Sequence, residues 1–171
     1  MSGHRAKHAN PERLQADQLA AAAAGSGEGA AGRDRPGYAV VSDPELAFAY
    51  ITKQYPINQS DDFKGIVQLR DGEVIAAAGY DGYNGHNIFG HIASNASGRW
   101  LTRHFLHEAF KYPFVTLGVG RLSTWVEANN VPSRRFCTNL GFTAEAVLQK
   151  AGRGGVDVII YRMFRQECRY A

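Results

Sequence analysis

An amphipathic helix is predicted early in the chain by a start signal and the apolar pattern after it. Ser42 is followed three positions later by Glu45, with Pro44 between them, which is the pattern of a capping box with proline in the first helical turn. The apolar residues that follow recur at helical spacing: Leu46, Phe48, Ala49 and Ile51. We expect a helix of about three turns here.

Three β-rich segments follow and are separated by turn sequences. Residues 64–69 and 73–80 flank Asp71-Gly72, a dipeptide that favours a tight hairpin. The sequence DGYNG at 81–85 supplies the next turn, and residues 86–93 form the last of these three strands, which is the fourth in the chain when a first strand near Tyr38 is counted. These segments predict an antiparallel meander.

The carboxyl-terminal half alternates between helix and strand patterns. Residues 100–117 have a helical period that Pro113 interrupts, so we expect a helix with a kink or break at Tyr112-Pro113. The remaining elements are a strand at 121–127, a helix at 131–140 and a hairpin of 142–149 with 156–164. With a first strand near Tyr38, the order is β-α-β-β-β-α-β-α-β-β. This order predicts an α/β fold with a mixed sheet and helices on both faces.

Composition restricts the classes of protein to which the chain can belong. Of its 171 residues, 44% are hydrophobic and 20% are charged, which is typical of one globular domain. No apolar run approaches the roughly 18 residues that a membrane-spanning helix needs, so we expect no membrane association. The net charge of +3 comes with scattered arginines and fits a small anionic ligand at least as well as nucleic acid.

The chain is expected to divide into a flexible segment and a folded domain. Residues 1–37 contain mainly Ala, Gly, Ser, Arg and Glu and cannot bury enough apolar surface to fold, although 11–24 favour a helix. The folded domain is expected over 38–171. Cys137 and Cys168 form no disulfide framework or metal-ligand spacing, and no apolar signal segment is present, which favours a cytoplasmic protein without a metal.

The most informative motif lies on the last predicted helix. Asn130 can cap a helix that Pro132 opens, Ser133 presents a hydroxyl group in its first turn, and Gly141 can end it before Phe142. Taken alone, these residues describe a helix with a well-formed start and end.

Together with their context, these residues resemble a known superfamily. One spacing recurs in the GNAT acyl-CoA N-acyltransferases (GCN5-related N-acetyltransferases): an asparagine, a small residue three positions later, and LGF that begins ten positions after the asparagine. Asn130, Ser133 and LGF at 140–142 keep this spacing. The segment SGRWLTRHFLHEAFKYPFVTLGVGRL at 97–122 also aligns without gaps to that family's pyrophosphate loop, central helix and next strand. The resemblance covers the chain from Tyr38 onward. It is strongest to the ribosomal-protein and N-terminal acetyltransferase branch, and phage-encoded GNAT-like proteins have similar YNG, GHIA and WLTR segments.

The resemblance implies binding of acetyl-CoA or another acyl-CoA. The splayed end of the fourth strand would face the thioester, the start of the next helix would hold the pyrophosphate, and the capped helix would lie along the pantetheine arm. The residues assigned to these roles are Ile92, Ala93, Ser94, Ser97, Gly98, Arg99, Trp100, Leu101, Thr102, Arg103, Asn130, Ser133 and Phe136.

The pyrophosphate loop departs from the family pattern. Ser97, Trp100 and Thr102 stand where the family has Gln or Arg followed by two small residues, so the two loop glycines are missing. Three alternatives follow from this departure. The pyrophosphate could be held by donors from Arg99, Thr102 and Arg103, the cofactor could bind with lower affinity, or the site could hold a different ligand.

Three residues are candidates for proton transfer. His91 is the first candidate for the base because imidazole titrates near neutrality and the alignment sets it beside the thioester, and Glu127 is the second. Cys137 stands seven positions after Asn130, where the family commonly has a tyrosine acid. A thiol is a poor hydrogen-bond donor, so we favour a structural or cofactor-lining role for Cys137 over an acid.

The sequence does not identify the acceptor amine, and it allows more than one function. Asp81, Tyr83 and Asn84 are candidates for lining the pocket, although a turn uses such residues without any substrate. We expect direct transfer in a ternary complex to a protein N-terminus, a lysine, a small amine or a nucleobase amino group. The alternatives are a phage-type DNA-base-modifying protein and a non-enzymatic binding module on the same fold. A homodimer is a further expectation.

Overall fold

The protein contains seven strands and three α-helices in the part that the structure describes. The structure is a computed structural model that describes residues 36–96 and 99–171. The elements are β1 (Tyr38–Ser42), α1 (Pro44–Thr52), β2 (Lys64–Arg70), β3 (Glu73–Asp81), β4 (Asn87–Ser94), α2 (Arg103–Lys111), β5 (Arg121–Glu127), α3 (Val131–Leu140), β6 (Thr143–Leu148) and β7 (Val158–Phe164). The predicted order of strands and helices is confirmed. The helix expected at 11–24 lies outside the described residues.

The strands form one sheet in the order β1-β2-β3-β4-β5-β7-β6. Neighbouring strands are antiparallel except β4 and β5, which are parallel. α1 packs on one face over a core that includes Ile51 and Ala77, and α2 and α3 pack on the other face over Ala78, Phe105 and Leu140. The prediction of a mixed sheet with helices on both faces is therefore confirmed. Among the described residues, no helix has the length and apolar character needed to cross a bilayer.

The turn between β2 and β3 has the backbone conformation that its sequence predicts. Asp71 and Gly72 have φ angles of 51° and 82°. Two positive φ angles in a two-residue turn are typical of the hairpin turn whose twist matches that of the strands. The predicted hairpin is confirmed.

The start of α1 differs from the predicted capping box by one residue. Ser42 is the last residue of β1 and pairs with Ile66 of β2, so its backbone belongs to the sheet. Asp43 caps the helix instead, because its Oδ1 accepts a hydrogen bond from the backbone N–H of Leu46 at 2.9 Å. The predicted capping box at Ser42 was wrong because Ser42 is held in the sheet by pairing with β2. That pairing depends on residues distant in sequence, which a local pattern does not reveal.

The helix expected over 100–117 is shorter than predicted at both ends. Thr102 has an extended backbone and its Oγ1 accepts from the N–H of Phe105 at 3.1 Å, so α2 begins at Arg103. At the other end, Pro113 lies in a π-helical turn (Tyr112–Thr116) that follows α2 directly. The predicted break at Tyr112-Pro113 is confirmed, because proline cannot donate the regular helical hydrogen bond.

Two glycines allow α1 to lie close to the sheet. A Cβ atom added to Gly65 would lie 2.5 Å from the Cβ of Ala47. One added to Gly79 would lie 2.5 Å from Cζ of Phe63 and 2.9 Å from Cδ1 of Ile51. A larger side chain at Gly65 would overlap α1, and one at Gly79 would overlap the side chains of Phe63 and Ile51 that pack beneath α1. Both glycines therefore allow α1 to lie close to the sheet.

Gly79→Ala is expected to lower the free energy of unfolding by about 1–3 kcal/mol, because the added methyl group overlaps atoms of a packed core. Urea denaturation measures the change. Gly120→Ala is the matched control, since no atom lies within 4 Å of a Cβ added there. We expect the control to change stability by less than about 1 kcal/mol. Equal losses in both variants would contradict the close approach of α1.

Candidate active site

The site is built where two neighbouring strands separate. β4 and β5 are paired only at Asn87↔Arg121, Ile88↔Leu122 and Phe89↔Ser123. Beyond these pairs, β4 continues to Ser94 and β5 to Glu127 without pairing to each other. We call the gap between residues 90–94 and 124–127 the notch. Its edges carry backbone N–H and C=O groups that strand pairing would otherwise occupy.

Polar side chains hold the two strands together at the paired end. The Ser123 hydroxyl donates to Oδ1 of Asn87 at 2.7 Å and accepts from Nε of Arg121 at 2.9 Å. The guanidinium of Arg121 also pairs with both carboxylate oxygens of Glu145 on β6. This network links β4, β5 and β6, so the separation of β4 and β5 begins at a defined point.

Two side chains from the segment after α1 contact the β4 edge of the notch. The hydroxyl group of Tyr55 donates to the carbonyl of Ile92 at 3.3 Å, and Nε2 of Gln54 donates to the carbonyl of Ser94 at 3.0 Å. The Tyr55 ring packs edge-on against Trp125 of β5, with ring centroids 6.1 Å apart. Tyr55 therefore contacts both strands that border the notch.

A cavity of about 690 Å³ runs along the notch and reaches α3. Its lining includes many residues that the sequence analysis assigned to the cofactor or to catalysis: Ile92, Ala93, Ser94, Trp100, Glu127, Asn130, Ser133, Phe136 and Cys137. The structure thus brings together residues from four separate segments of the chain.

The start and end of α3 agree with the motif in its sequence. Oδ1 of Asn130 accepts from the backbone N–H of Ser133 at 3.2 Å, which caps the helix. Gly141 ends it with a φ angle of 104°, and the N–H of Phe142 donates to the carbonyl of Cys137 at 3.0 Å. The cap and the left-handed glycine fix where α3 begins and ends.

The aromatic ring of Trp100 packs against one residue of α2 and one residue of α3. Its centroid lies 5.4 Å from that of Phe136 and 6.3 Å from that of Phe105. Trp100 also lines the cavity. It is therefore both a packing residue and part of the cavity wall.

His91 lies on the face of the sheet that α1 covers. It is 8% exposed, and its Nε2 is 3.0 Å from Oδ1 of Asp81 on β3, although the ring is not oriented for a hydrogen bond. Its ring centroid is 6.5 Å from that of Tyr55. In the described part of the chain, Tyr55 lines the cavity and His91 does not, so His91 contacts a lining residue without lining the cavity itself.

Glu127 lines the cavity and is held by the hairpin between β6 and β7. Its Oε1 accepts from the backbone N–H of Arg153 at 3.0 Å and from Nε of Arg153 at 3.4 Å. The side chain of Glu127 is 18% exposed, whereas that of Arg153 is 67% exposed. The carboxylate is therefore fixed in position while still facing the cavity.

Comparison with known proteins finds similarity to acetyltransferases. No family model matches the chain. Uncharacterized N-acetyltransferase p20 of Bacillus licheniformis is 28% identical over 116 residues, which are 64% of this chain. The match spans 65% of the length of p20, slightly less than two thirds of it.

Solved structures decide the fold. Spermidine/spermine N-acetyltransferase SpeG from Vibrio cholerae, in complex with manganese ions, matches with a TM-score of 0.63 and 13% identity over 77% of this chain and 94% of that chain. The dodecameric structure of spermidine N-acetyltransferase from the same organism matches with a TM-score of 0.63 and 14% identity over 77% of this chain and 96% of that chain. The chain has the GNAT fold. The predicted fold, a mixed sheet of the GNAT type, is confirmed. The separation of the parallel strands β4 and β5 agrees with the splayed end of the fourth strand that the resemblance implies.

Several residues that the GNAT resemblance assigns to the cofactor are not among the described residues that line the cavity. Ser97 and Gly98 are outside the described residues. Of the others, Arg99, Leu101 and Arg103 are exposed. Thr102 caps α2, and its hydroxyl group donates to Oε1 of the buried Gln68 at 2.9 Å. Its hydroxyl hydrogen is therefore already engaged within the protein.

Two of the three candidates for the acceptor pocket belong to the turn between β3 and β4. Oδ1 of Asn84 accepts from the backbone N–H groups of His86 and Asn87 at 3.1 and 2.8 Å. Tyr83 is 45% exposed, and its backbone N–H donates to Asp62. The third candidate, Asp81, contacts His91 instead. Within the described residues, none of the three lines the cavity.

The structure adds residues that the sequence analysis did not identify. The cavity is also lined by Gln54, Tyr55, Pro56, Thr124, Trp125, Ala151, Gly152 and Arg153. Gln54, Tyr55 and Pro56 lie in an irregular segment whose position depends on α1. The spacing of hydrophobic residues therefore does not predict that they line the cavity. Only Trp125 gave a usable signal, as a large aromatic residue in the middle of a predicted strand.

Cys137 occupies the position where the GNAT resemblance leads us to expect an acid. The side chain is 6% exposed, and burial raises the pKa of its thiol from 9.0 to about 11. It is therefore a neutral thiol near neutral pH. Cys137 lines the cavity, and its role toward a cofactor stays a prediction.

The raised pKa of Cys137 predicts a loss of stability at alkaline pH. The folded state binds the thiol proton more tightly than the unfolded state, so this contribution is fully present below about pH 9 and is lost as the pH rises through about 11. The loss amounts to about 3 kcal/mol. Urea denaturation across this range should show a smaller decline for Cys137→Ala than for the wild type. The same decline in both proteins would contradict the burial of an ionisable thiol.

Proposed function

We propose that the protein is a GNAT N-acetyltransferase that transfers an acetyl group from acetyl-CoA to an amine. The observation that carries this proposal is the notch, where backbone groups of β4 are released from strand pairing beside the capped start of α3. The amides of a pantetheine arm and a thioester carbonyl suit such groups, because they can pair with an open strand edge as another strand would. Trp100, Asn130, Ser133 and Phe136 would line the arm.

The pyrophosphate would be held at the start of α2. A helix start offers backbone N–H groups and the positive end of the helix dipole. Because the hydroxyl hydrogen of Thr102 is engaged by Gln68, we assign the side-chain contacts to Arg99 and Arg103, which are exposed and close in sequence to this helix start. Their guanidinium groups would compensate for the missing loop glycines.

Acyl transfer requires that one proton move from nitrogen to sulfur. The nitrogen of a neutral amine forms a bond with the acyl carbon, the carbon–sulfur bond breaks, and the proton that nitrogen loses ends on the sulfur. A free thiol has a pKa of about 8.5, so donation from a Cys137 thiol of pKa about 11 would be uphill by about 3 kcal/mol. We propose that the proton reaches the sulfur from the amine, directly or through water, and that Cys137 only lines the site.

Glu127 is the better candidate for the base that prepares the amine. It lines the cavity, and both hydrogen bonds from Arg153 are made to Oε1, so we assign Oε2 to the amine proton. His91 was the first candidate from the sequence, but it does not line the described cavity, whereas Glu127 does. We propose that His91 and Asp81 support the wall behind Tyr55.

Several finer expectations rest on the sequence alone. The ribosomal-protein or N-terminal acetyltransferase branch and the phage-like relatives come from the resemblance, and the cytoplasmic location comes from the cysteines and the apolar pattern. A homodimer is a further expectation. The acceptor amine is likewise a prediction without a named substrate, and a nucleobase amino group and the non-enzymatic alternative remain among the outcomes that the next measurements separate.

Acetyl-CoA should bind the purified protein with a Kd well below 1 mM, which corresponds to a binding free energy stronger than about −4 kcal/mol. Calorimetric titration measures this value directly. Adenosine without the pantetheine arm is the matched control and should bind at least about tenfold more weakly, because it cannot reach the notch. Absence of acetyl-CoA binding below 1 mM would overturn the proposed function.

Glu127→Gln should lower kcat by about a hundredfold or more, because a positioned general base contributes about 10²–10⁴. The amide oxygen of glutamine can still accept from Arg153, so the hairpin should stay in place. A set of primary amines is first screened for the one that reacts fastest with acetyl-CoA in the presence of the wild type. The rate at which free CoA is released with that amine then gives kcat for each variant. Cys137→Ala is the control and should keep its kcat within about threefold. If His91→Gln loses activity while Glu127→Gln keeps it, the base is assigned wrongly.

A further inference from the structure

Tyr55 is fixed between the two strands that border the notch. Its backbone N–H donates to the carbonyl of Ile51 at 3.1 Å, which ties it to the last turn of α1. Its hydroxyl group reaches the carbonyl of Ile92, and its ring lies against Trp125 with an interplanar angle of 77°. The other face of the site is formed by α3, so the ring closes the side of the notch toward α1.

Several contacts keep this ring in place. Gln54, the preceding residue, donates to the carbonyl of Ser94 and so anchors the segment at a second point on β4. His91 lies behind the ring and is held near Asp81. Burial raises the pKa of the Tyr55 hydroxyl, so it remains a neutral donor to Ile92 throughout the neutral range.

The position of the ring limits the space beside the thioester. In a strand, the N–H and C=O of one residue point toward the same neighbouring strand. A thioester carbonyl that accepts a hydrogen bond from the notch edge of β4 therefore lies next to the carbonyl that Tyr55 occupies. The carbons attached to that thioester carbonyl would meet the ring of Tyr55 or of Trp125.

The remaining open direction is needed by the other substrate. The cavity extends toward Glu127 and Arg153, at the end of β5 and in the β6–β7 hairpin. If Glu127 accepts the amine proton, the amine enters from this side. An apolar acyl chain placed there would also lie against the charged groups of Glu127 and Arg153 and desolvate them, whether or not the amine is bound. A longer chain therefore has to displace an aromatic ring or desolvate these charges.

We propose that Tyr55 closes the notch toward α1 and restricts the acyl donor to acetyl-CoA, excluding longer acyl groups. This inference rests on the proposed function of the notch. It assigns a selectivity role to a residue that neither the sequence motif nor the position of Cys137 indicates. A pocket that fits one methyl group discriminates against each added methylene by about tenfold or more, which sets the size of the expected effect.

Calorimetric titration with CoA, acetyl-CoA and butyryl-CoA tests this selectivity without knowledge of the acceptor. The wild type should bind acetyl-CoA at least about tenfold more tightly than butyryl-CoA. Tyr55→Ala should reduce this ratio at least tenfold, mainly by tighter binding of butyryl-CoA. Tyr55→Phe keeps the ring without its hydroxyl group and should keep most of the wild-type ratio. The affinity for CoA without an acyl group normalises any change in the rest of the site.

Two outcomes would overturn the inference. The first is a wild-type protein that binds butyryl-CoA as tightly as acetyl-CoA, and the second is a Tyr55→Ala variant with an unchanged ratio. If Tyr55→Ala does not fold, as judged by its thermal transition, Tyr55→Leu replaces it and should give an intermediate ratio. Loss of acetyl-CoA binding in the wild type would instead refute the proposed function, and the inference with it.

Discussion

The separation of β4 from β5 after Phe89 is the constraint on which the rest of the site depends. Ending a parallel pair inside a sheet leaves backbone groups without a strand partner, and each unsatisfied buried group costs about 1–3 kcal/mol. Here Tyr55 and Gln54 satisfy two of the carbonyls of β4 from outside the sheet. Side chains from the segment after α1 thus occupy part of the β4 edge and keep the gap in the sheet open. The remaining backbone N–H and C=O groups of that edge are left for a ligand that contains amides.

This solution makes the site depend on packing far from the notch. Tyr55 follows α1 directly, so its reach is set by how closely α1 lies on the sheet. Gly65 and Gly79 allow that approach, because a Cβ at either position would overlap α1 or Phe63. A larger side chain at either glycine would push α1 away from the sheet and displace Tyr55 with it. Two glycines without any chemical role therefore help to determine the shape of the notch.

The local signals in the sequence were sufficient for most of the fold but only for part of the site. Asp71-Gly72 and the Asn130 cap are short-range signals, and the structure agrees with both. The cap at Ser42 was wrong because pairing with Ile66 overrides the local pattern. Tyr55 could not be found for the same reason. Its role arises from contacts with β4 and β5, about 40 and 70 positions further along the chain, and no periodic pattern indicates such contacts.

The titratable groups of the notch explain why Cys137 can stand where a tyrosine is expected. The Cys137 thiol and the Tyr55 hydroxyl both have pKa values raised by burial, so neither gives up its proton readily. The proposed reaction does not require either to do so, since the amine itself releases the proton that the sulfur gains. What the site must supply is an accessible strand edge for the acyl donor, a fixed carboxylate for the amine and exclusion of water between them. Those requirements fall on β4, Glu127 and the aromatic walls, and they leave the residue at position 137 free to be chosen for packing.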